Sequence, residues 1–212
     1  MESIFGFLNE KHRLDVATKN NGQLMKQSIW EKRYSRDEFI YGTQPNEFLA
    51  SEIQKLHQGK LLLPCEGEGR NAVFAAQLGW GVDAFDYAEA GKTKSLHLAS
   101  EHGASINYWV SSVEAFEAPA NRYDAIALIY CHVAPESRNE FHQKMVQALK
   151  PNGTLILEGF SEEQLDFDSG GPPVIERLFT VEGLKEDFQE LDLLKADREL
   201  VQREEGRFHN GL

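Results

Sequence analysis

The sequence predicts an α/β fold: a Rossmann-like, doubly wound sheet that is mostly parallel and carries helices on both faces. Short apolar runs, typical of strands buried on both faces, alternate along the chain with segments of helical periodicity. The first such run, Leu61–Leu63, leads through a glycine turn into an alanine-rich helix. A later run, residues 123–130, is almost wholly apolar after Asp124, as in a central strand. Open sheets of this kind bind ligands at the carboxyl ends of their strands, so the site is expected there.

Composition and charge limit the possible partners. The chain has 212 residues, with 22 Lys and Arg against 34 Asp and Glu, a net charge of −12. This balance argues against nucleic acid or an anionic membrane as a partner. There is no apolar run of membrane-spanning length and no signal-peptide pattern. We expect a cytoplasmic monomer or homodimer with a small-molecule partner and no metal site, with one domain over residues 29–212 and an N-terminal arm or helix over residues 1–28.

A first helix is predicted around Trp30, ahead of the first strand. Trp30, Arg33 and Tyr34 lie on one side of it, at i, i+3 and i+4 spacing. That side either packs its rings on the core or closes over a ligand as an N-terminal helical lid, to which Tyr41 would also belong.

A second helix is predicted from Pro45, because proline suits the first turn of a helix. Thr43 or Gln44 would cap it, and Gly59 would end it. Its apolar stripe consists of Phe48, Leu49, Ile53 and Leu56.

The glycine turn after the first strand indicates the cofactor. Gly67-x-Gly69-x-x-Ala72 fits the dinucleotide fingerprint, in which a pyrophosphate lies on backbone N–H groups. Glu66 and Glu68 flank the turn and would repel a pyrophosphate. S-adenosylmethionine has no phosphate and carries a sulfonium and an ammonium, so an acidic turn suits it better. The alternative is that both glutamates point to solvent.

Polar residues at the ends of the next two strands complete the predicted cofactor site. Asp86 lies 19 residues after Gly67, where a strand-end carboxylate binds both ribose hydroxyls of a nucleoside. Tyr87 would then flank the base. An N-cap for the following helix is the alternative role of Asp86. In the loop after the third strand, Ser112 and Val113 are candidates for contacts with the adenine edge, unless the loop is an ordinary strand-to-helix turn.

The fourth strand ends at Tyr130, Cys131 and His132. In a doubly wound sheet this strand lies beside the first, so Cys65 and Cys131 are expected at the same edge. Two cysteines make no disulfide framework, and we expect free thiols. His132 would orient an acceptor or take a proton, although a lone histidine is more often structural.

The remainder of the chain continues the alternation. A helix is predicted over residues 136–149, and Pro151 and Gly153 mark the turn into a fifth strand. The glycine-rich loop over residues 166–173 leaves the carboxyl end of that strand, so it is placed to cover the site. A short helix capped by Thr180 and a sixth strand over residues 190–203 are predicted to follow.

Taken together, these motifs resemble class I S-adenosylmethionine-dependent methyltransferases, and most of all the small bacterial subgroup near the tellurite-resistance and thiopurine methyltransferases. The motifs that carry the resemblance are Glu66–Asn71, Asp86, Leu149–Leu155, Trp30-x-x-Arg33-Tyr34 with Tyr41-Gly42-x-x-Pro45-Asn46, and Ser169–Pro172. The resemblance implies S-adenosylmethionine as the cofactor and S-adenosylhomocysteine as its product.

The sequence departs from this family in two places. Leu63 and Cys65 stand where the family has an acidic residue and a further glycine, so Glu66 is expected to contact the methionine ammonium instead. The family's sheet ends in an antiparallel seventh strand, which should begin near Leu212, so we expect either that this strand is truncated or that the sheet is completed differently. This second departure puts the site role of His209 in doubt.

The expected reaction is an in-line displacement at the sulfonium methyl carbon, for which the protein holds donor and acceptor in line and excludes water. The predicted cofactor-binding residues are Trp30, Tyr41, Glu66, Gly67, Gly69, Asp86, Tyr87, Ser112 and Val113. The predicted catalytic residues are Tyr130, His132 and His209, and Trp30 and Tyr41 also face the acceptor. A thiol, a metalloid or a heteroaromatic compound would each fit as the acceptor. Two alternatives stay open: a non-catalytic S-adenosylmethionine-binding module and an NAD-dependent oxidoreductase.

Overall fold

The computed structural model describes residues 29–167 and 170–211. The predicted N-terminal arm, residues 1–28, and Ser169 of the covering loop lie outside the described residues. None of the described helices is long and apolar enough to cross a membrane.

The predicted doubly wound sheet is confirmed. Five parallel strands are hydrogen-bonded in the order β3-β2-β1-β4-β5 in the described part of the chain. The strands are β1 Lys60–Pro64, β2 Gly81–Asp86, β3 Ile106–Val110, β4 Tyr123–Ile129 and β5 Leu149–Glu158. The order reverses between β1 and β4, and a sheet of this kind binds its ligand at that switch point.

Helices cover both faces of the sheet. They are α1 at residues 29–34, α2 Glu47–Ile53, α3 Arg70–Gln77, α4 Glu89–Glu101, α5 Pro135–Ala148 and α6 Val181–Asp187. In β1, Leu61 and Leu63 face the core of α2 and α3, whereas Leu62 faces the core of α5. All three are at most 1% exposed, and burying each leucine contributes roughly 1.5–3 kcal/mol.

The cap of α2 differs from the prediction. Asn46, not Thr43 or Gln44, is its N-cap, and the Asn46 side chain accepts the Leu49 N–H at 2.9 Å. The Asn46 N–H also donates to Asn71 Oδ1 at 2.8 Å, which ties α2 to the start of α3. The helix ends at Ile53 rather than at Gly59.

The predicted sixth strand over residues 190–203 is wrong. Residues 192–202 form no strand, and Leu193, Leu194 and Leu200 are 59%, 84% and 71% exposed. In the described structure no strand lies beside this segment, so its apolar side chains are not buried against a sheet. Two short strands, β6 Arg203–Glu204 and β7 Asn210–Gly211, pair with each other as a separate antiparallel ribbon.

Candidate active site

The glycine turn after β1 is built on left-handed backbone. Cys65, Gly67 and Gly69 have φ values of 56°, 62° and 90°, a region that favours glycine. A Cβ on Gly67 would lie 2.7 Å from the Tyr34 hydroxyl, and one on Gly69 would lie 2.8 Å from Cα of Ser95. Both glycines are therefore required by conformation and by close packing. Cys65 adopts the same conformation with a side chain attached.

Asp86, at the end of β2, lies against this turn. Its carboxylate accepts the Gly67 N–H at 3.2 Å and the Ala88 N–H at 3.0 Å. Burial raises the pKa of Asp86 to about 6, although backbone N–H groups oppose the shift. Ala88, not Asp86, is the N-cap residue of α4. Asp86 therefore joins the glycine turn to the end of β2, where the sequence predicted a ribose ligand.

The two glutamates of the turn do not face solvent. Glu66 Oε1 accepts the Asn71 and Ala72 N–H groups at 2.9 and 2.8 Å, at the start of α3. Burial raises the pKa of Glu66 to about 7. The Glu66 carboxylate thus binds the start of α3, whereas the sequence predicted that it would contact the methionine ammonium.

Glu68 is also held internally. Its carboxylate accepts the Ile40 N–H at 2.8 Å and forms an ion pair with Lys94 at 2.8 Å. Because Glu66 and Glu68 both have internal partners, repulsion of a pyrophosphate by these glutamates does not distinguish S-adenosylmethionine from a dinucleotide in the folded protein.

An aromatic cluster from α1 and the loop after it covers the turn. Tyr34 is buried against Gly67, with the Trp30 ring 5.3 Å from that of Tyr34 and 6.2 Å from that of Tyr41. The Arg33 guanidinium lies 4.5 Å from the centre of the Trp30 ring and donates to the Tyr41 hydroxyl at 3.1 Å. This helix side both packs its rings and lies over the predicted cofactor turn.

The loop after β3 begins beside Asp86, because the Ser111 N–H donates to the Asp86 backbone carbonyl at 2.9 Å. The Ser112 hydroxyl accepts the Ala115 N–H at 3.2 Å, as in an ordinary turn. Val113 packs on the core beside α5. Tyr87 is half-buried, and burial raises its pKa well above the ordinary value. These residues lie near the predicted adenine position without a distinctive geometry of their own.

His132 has both ring nitrogens engaged. Nε2 accepts the Phe160 N–H at 3.0 Å, so Nδ1 carries the proton and donates to the Arg177 carbonyl at 2.8 Å. Burial lowers the pKa of His132 to about 4, and its ring stacks on Phe179 at 4.6 Å. His132 thus ties the end of β4 to the segments after β5. It can take a proton from an acceptor only by exchanging one of these partners, so its catalytic role stays a prediction.

Tyr130 and His209 belong to a second aromatic cluster at the ends of β4 and β5. The His209 ring lies 4.4 Å from that of Tyr130, 4.5 Å from that of Tyr41 and 5.3 Å from that of Phe160. The Tyr130 hydroxyl donates to Glu158 Oε1 at 2.8 Å. His209 is 7% exposed, and the turn between β6 and β7 brings it into this aromatic cluster.

In the described structure, four charged side chains surround this second cluster, and none of them was among the predicted site residues. Arg70 pairs with Glu205 at 2.9 Å, and Arg203 pairs with Glu158 at 2.5 Å. Although burial opposes it, the His209 hydrogen bond and the Arg70 charge lower the pKa of Glu205 to about 2. Glu158 could have been found, because it directly follows the apolar run of β5. The Arg70–Glu205 pair spans 135 residues and has no local signal.

Comparisons with known proteins bear on these arrangements. Residues 63–153 match the family described as methyltransferase domain. The ubiquinone biosynthesis O-methyltransferase of Rickettsia canadensis (strain McKiel) is 32% identical over 92 residues, which are 43% of this chain and 38% of that protein. The match thus spans little more than a third of that relative's length.

Two solved structures show the fold. TehB from Haemophilus influenzae has a TM-score of 0.61 at 18% identity, covering 85% of this chain and 61% of its own. Haemonchus contortus phosphoethanolamine N-methyltransferase 1, solved with phosphoethanolamine and S-adenosylhomocysteine, has a TM-score of 0.53 at 15% identity, covering 64% of this chain and 31% of its own. At these identities the likeness is one of fold alone.

Proposed function

We propose that this chain is a class I S-adenosylmethionine-dependent methyltransferase that transfers the methyl group of S-adenosylmethionine to a small-molecule acceptor, a proposal supported by the methyltransferase-domain match over residues 63–153. The single observation that carries the proposal is the Gly67–Gly69 turn bonded to Asp86 at the switch point of the sheet, inside the matched residues 63–153. The products are the methylated acceptor and S-adenosylhomocysteine.

On the cofactor side, the proposed contacts follow the strand ends. Gly67 and Gly69 let the methionine part approach bare backbone, and Asp86 accepts the ribose hydroxyls in place of backbone N–H groups. Ser112 and Val113 lie along the adenine edge. Tyr87 flanks the base, and Trp30 and Tyr41 close over the cofactor. Glu66 supports the turn by fixing the start of α3 and reaches the ammonium only if it exchanges its present partners.

On the acceptor side, ring faces dominate. Tyr41, Tyr130, Phe160 and His209 surround one another at the ends of β4 and β5. Stacking on such faces favours a heteroaromatic acceptor over the thiol and metalloid alternatives. Glu158 Oε2 is buried without a hydrogen-bond partner in the described structure, so it can accept an N–H or O–H of the acceptor.

For methyl transfer, the protein mainly has to hold the donor and the acceptor in line. The donor already carries the activation, and the aromatic cover excludes water. Where the acceptor arrives protonated, His209 is the proposed base in place of His132. Burial lowers its pKa, so it is neutral at pH 7, and Glu205 lies 3.5 Å from Nδ1. A proton held on Nδ1 by Glu205 leaves Nε2 to accept one.

We also carry forward the proposals that residues 29–212 form one domain and that the protein acts in the cytoplasm as a monomer or homodimer. Size-exclusion chromatography with light scattering measures the oligomeric state.

The test is a calorimetric titration with S-adenosylhomocysteine beside NAD, followed by methyl transfer from labelled S-adenosylmethionine to a panel of thiol, metalloid and heteroaromatic acceptors. We expect micromolar binding of S-adenosylhomocysteine and none of NAD. Binding of NAD alone would replace the proposal with an oxidoreductase. Binding of S-adenosylhomocysteine without turnover on any acceptor would leave a non-catalytic binding module.

A further inference from the structure

The two cysteines of the chain meet at the carboxyl edge of the sheet. Cys65 follows β1 and Cys131 follows β4, and these two strands are neighbours. The Cys131 thiol donates to Cys65 Sγ at 2.8 Å. Cys131 is 2% exposed and Cys65 is half-buried. Because their positions are 66 residues apart, the contact is made by the fold and not by local sequence.

We propose that Cys65 and Cys131 form a reversible modification site, at which a small-molecule disulfide oxidises the two thiols to an intramolecular disulfide bond. This proposal does not rest on the methyltransferase reaction.

The backbone at both cysteines supports the proposal. Cys65 itself has a φ of 56°, and Tyr130, directly before Cys131, has a φ of 52°. A residue with a side chain is strained in this region, which glycine adopts freely. These two left-handed residues turn the chain where each strand ends.

The exchange proceeds in two balanced steps. A thiolate of Cys65, the more exposed of the pair, attacks one sulfur of an oxidant such as glutathione disulfide; the oxidant's S–S bond breaks and one glutathione thiolate leaves. The Cys131 thiolate then attacks the sulfur of Cys65, the Cys65–Cys131 bond forms, and the second glutathione leaves. Two electrons pass to the oxidant and two protons leave the protein. The hydrogen bond from Cys131 and burial raise the pKa of Cys65, so the first step needs long incubation at neutral pH.

A covalent bond between these cysteines would link two segments of the candidate active site. Cys65 directly precedes Glu66 and the glycine turn, and Cys131 lies between Tyr130 and His132. The bond would join the cofactor turn to the end of β4 and close a long loop in the unfolded chain. Such a link raises the melting temperature of a folded protein when its native geometry accepts it.

The experiment uses the full chain, reduced and then incubated with glutathione disulfide. After denaturation and treatment with N-ethylmaleimide, intact mass is measured. We expect the oxidised protein to be lighter by two hydrogen atoms and to take up no maleimide, and its digest to contain one peptide pair linked through Cys65 and Cys131. Dithiothreitol should restore two maleimide adducts. Before denaturation, the oxidised form should melt several degrees above the reduced form.

Matched variants keep the test decisive. Cys65→Gly suits the left-handed backbone at that position, and Cys131→Ser is close in size; neither should lose two hydrogen atoms under the same treatment. A wild-type product that carries glutathione on both cysteines, links two chains, or still takes up two maleimides would overturn the proposal. Binding of S-adenosylhomocysteine by the reduced protein reports separately on the proposed function.

Discussion

The two halves of the carboxyl edge hold their carboxylates in opposite ways. On the proposed cofactor side, Glu66 and Asp86 are buried against backbone N–H groups, and their pKa values are raised to about 7 and about 6. On the proposed acceptor side, Glu205 lies beside Arg70 and near Arg203, and its pKa is lowered to about 2. At Glu205 the His209 hydrogen bond and the guanidinium charges outweigh the loss of hydration, whereas at Glu66 and Asp86 the backbone N–H groups offset it only in part.

The two halves of the edge therefore depend on different parts of the chain for the partners of their carboxylates. The proposed cofactor side depends largely on backbone conformation, because Glu66 and Asp86 accept backbone N–H groups of the turn and of the starts of α3 and α4, although Glu68 also pairs with the Lys94 side chain. The acceptor side depends on side chains, and its two guanidinium groups, Arg70 and Arg203, balance Glu158 and Glu205. Backbone changes should therefore damage the first half, and neutralised charges the second.

The largest expected effect is that of Gly69→Ala. The new Cβ would meet Cα of Ser95 at 2.8 Å, on a backbone with φ of 90°, so we expect a loss of about 3 kcal/mol or more in the free energy of unfolding. Urea unfolding measures it. Gly103→Ala is the control, with a φ of 61° and nothing within 4 Å of its Cβ, and should cost about 1 kcal/mol. Equal losses in both variants would show that crowding at the turn is unimportant.

Next comes Glu66→Gln, which tests the raised pKa. The folded-state pKa of about 7 lies above the ordinary value of 4.5, so folding favours the protonated carboxyl and stability falls as pH rises from 4.5 to 7. The shift corresponds to about 3 kcal/mol across that window. The variant should flatten the decline, leaving mainly the smaller contribution of Asp86, which has the same sign. The measurement is urea unfolding at pH 5 and pH 8, with exposed Glu140→Gln as the control. A variant as pH-sensitive as the wild type contradicts the assignment.

Asp86→Ala tests the ribose contact. We expect affinity for S-adenosylhomocysteine to fall by about 1–3 kcal/mol, the scale of hydrogen bonds to a charged group, as measured by calorimetry. Asp124→Asn is the matched control, because Asp124 lies at the opposite edge, where it pairs with Lys150. Unchanged affinity in a folded Asp86→Ala protein would remove Asp86 from the site.

The smallest effect is expected from Glu205→Gln. Folding lowers the pKa of Glu205 from its ordinary value of 4.5 to about 2. The ionised carboxylate therefore stabilises the folded protein at pH values above 4.5, and this stabilisation is lost as the pH falls from 4.5 toward 2. After allowance for partial exposure, the loss at pH 7 is about 1–2 kcal/mol, and the gap to the wild type should close in acid. A gap that stays constant from pH 7 to pH 3 would mean that the carboxylate charge is not the cause.

The sequence predicts the cofactor side better than the acceptor side for a physical reason. The turn, Asp86 and the strand order follow from apolar runs and glycines that act over short spacings. Glu205 meets Arg70 only after the whole sheet has formed, so no local pattern predicts that pair. The prediction of a strand over residues 190–203 was wrong for the same reason. An alternation of apolar and polar residues forms a strand only when a neighbouring strand is present to pair with it. The hydrogen bonds of His132 were not predictable either, because its partners, Phe160 and Arg177, lie 28 and 45 residues away along the chain.

The cover over the glycine turn has a kinetic consequence. Tyr34 packs on Gly67, and the Glu31 carboxylate accepts the Ala90 N–H at 3.2 Å, so α1 is fastened to the turn and to α4 at once. Gly67, Gly69 and Asp86 are all buried beneath it. At the proposed cofactor site, α1 has to release these contacts before the cofactor enters. We therefore expect the observed binding rate to level off at high cofactor concentration in stopped-flow fluorescence of Trp30. Glu31→Gln should raise that plateau while leaving the Gly67–Asp86 contact intact.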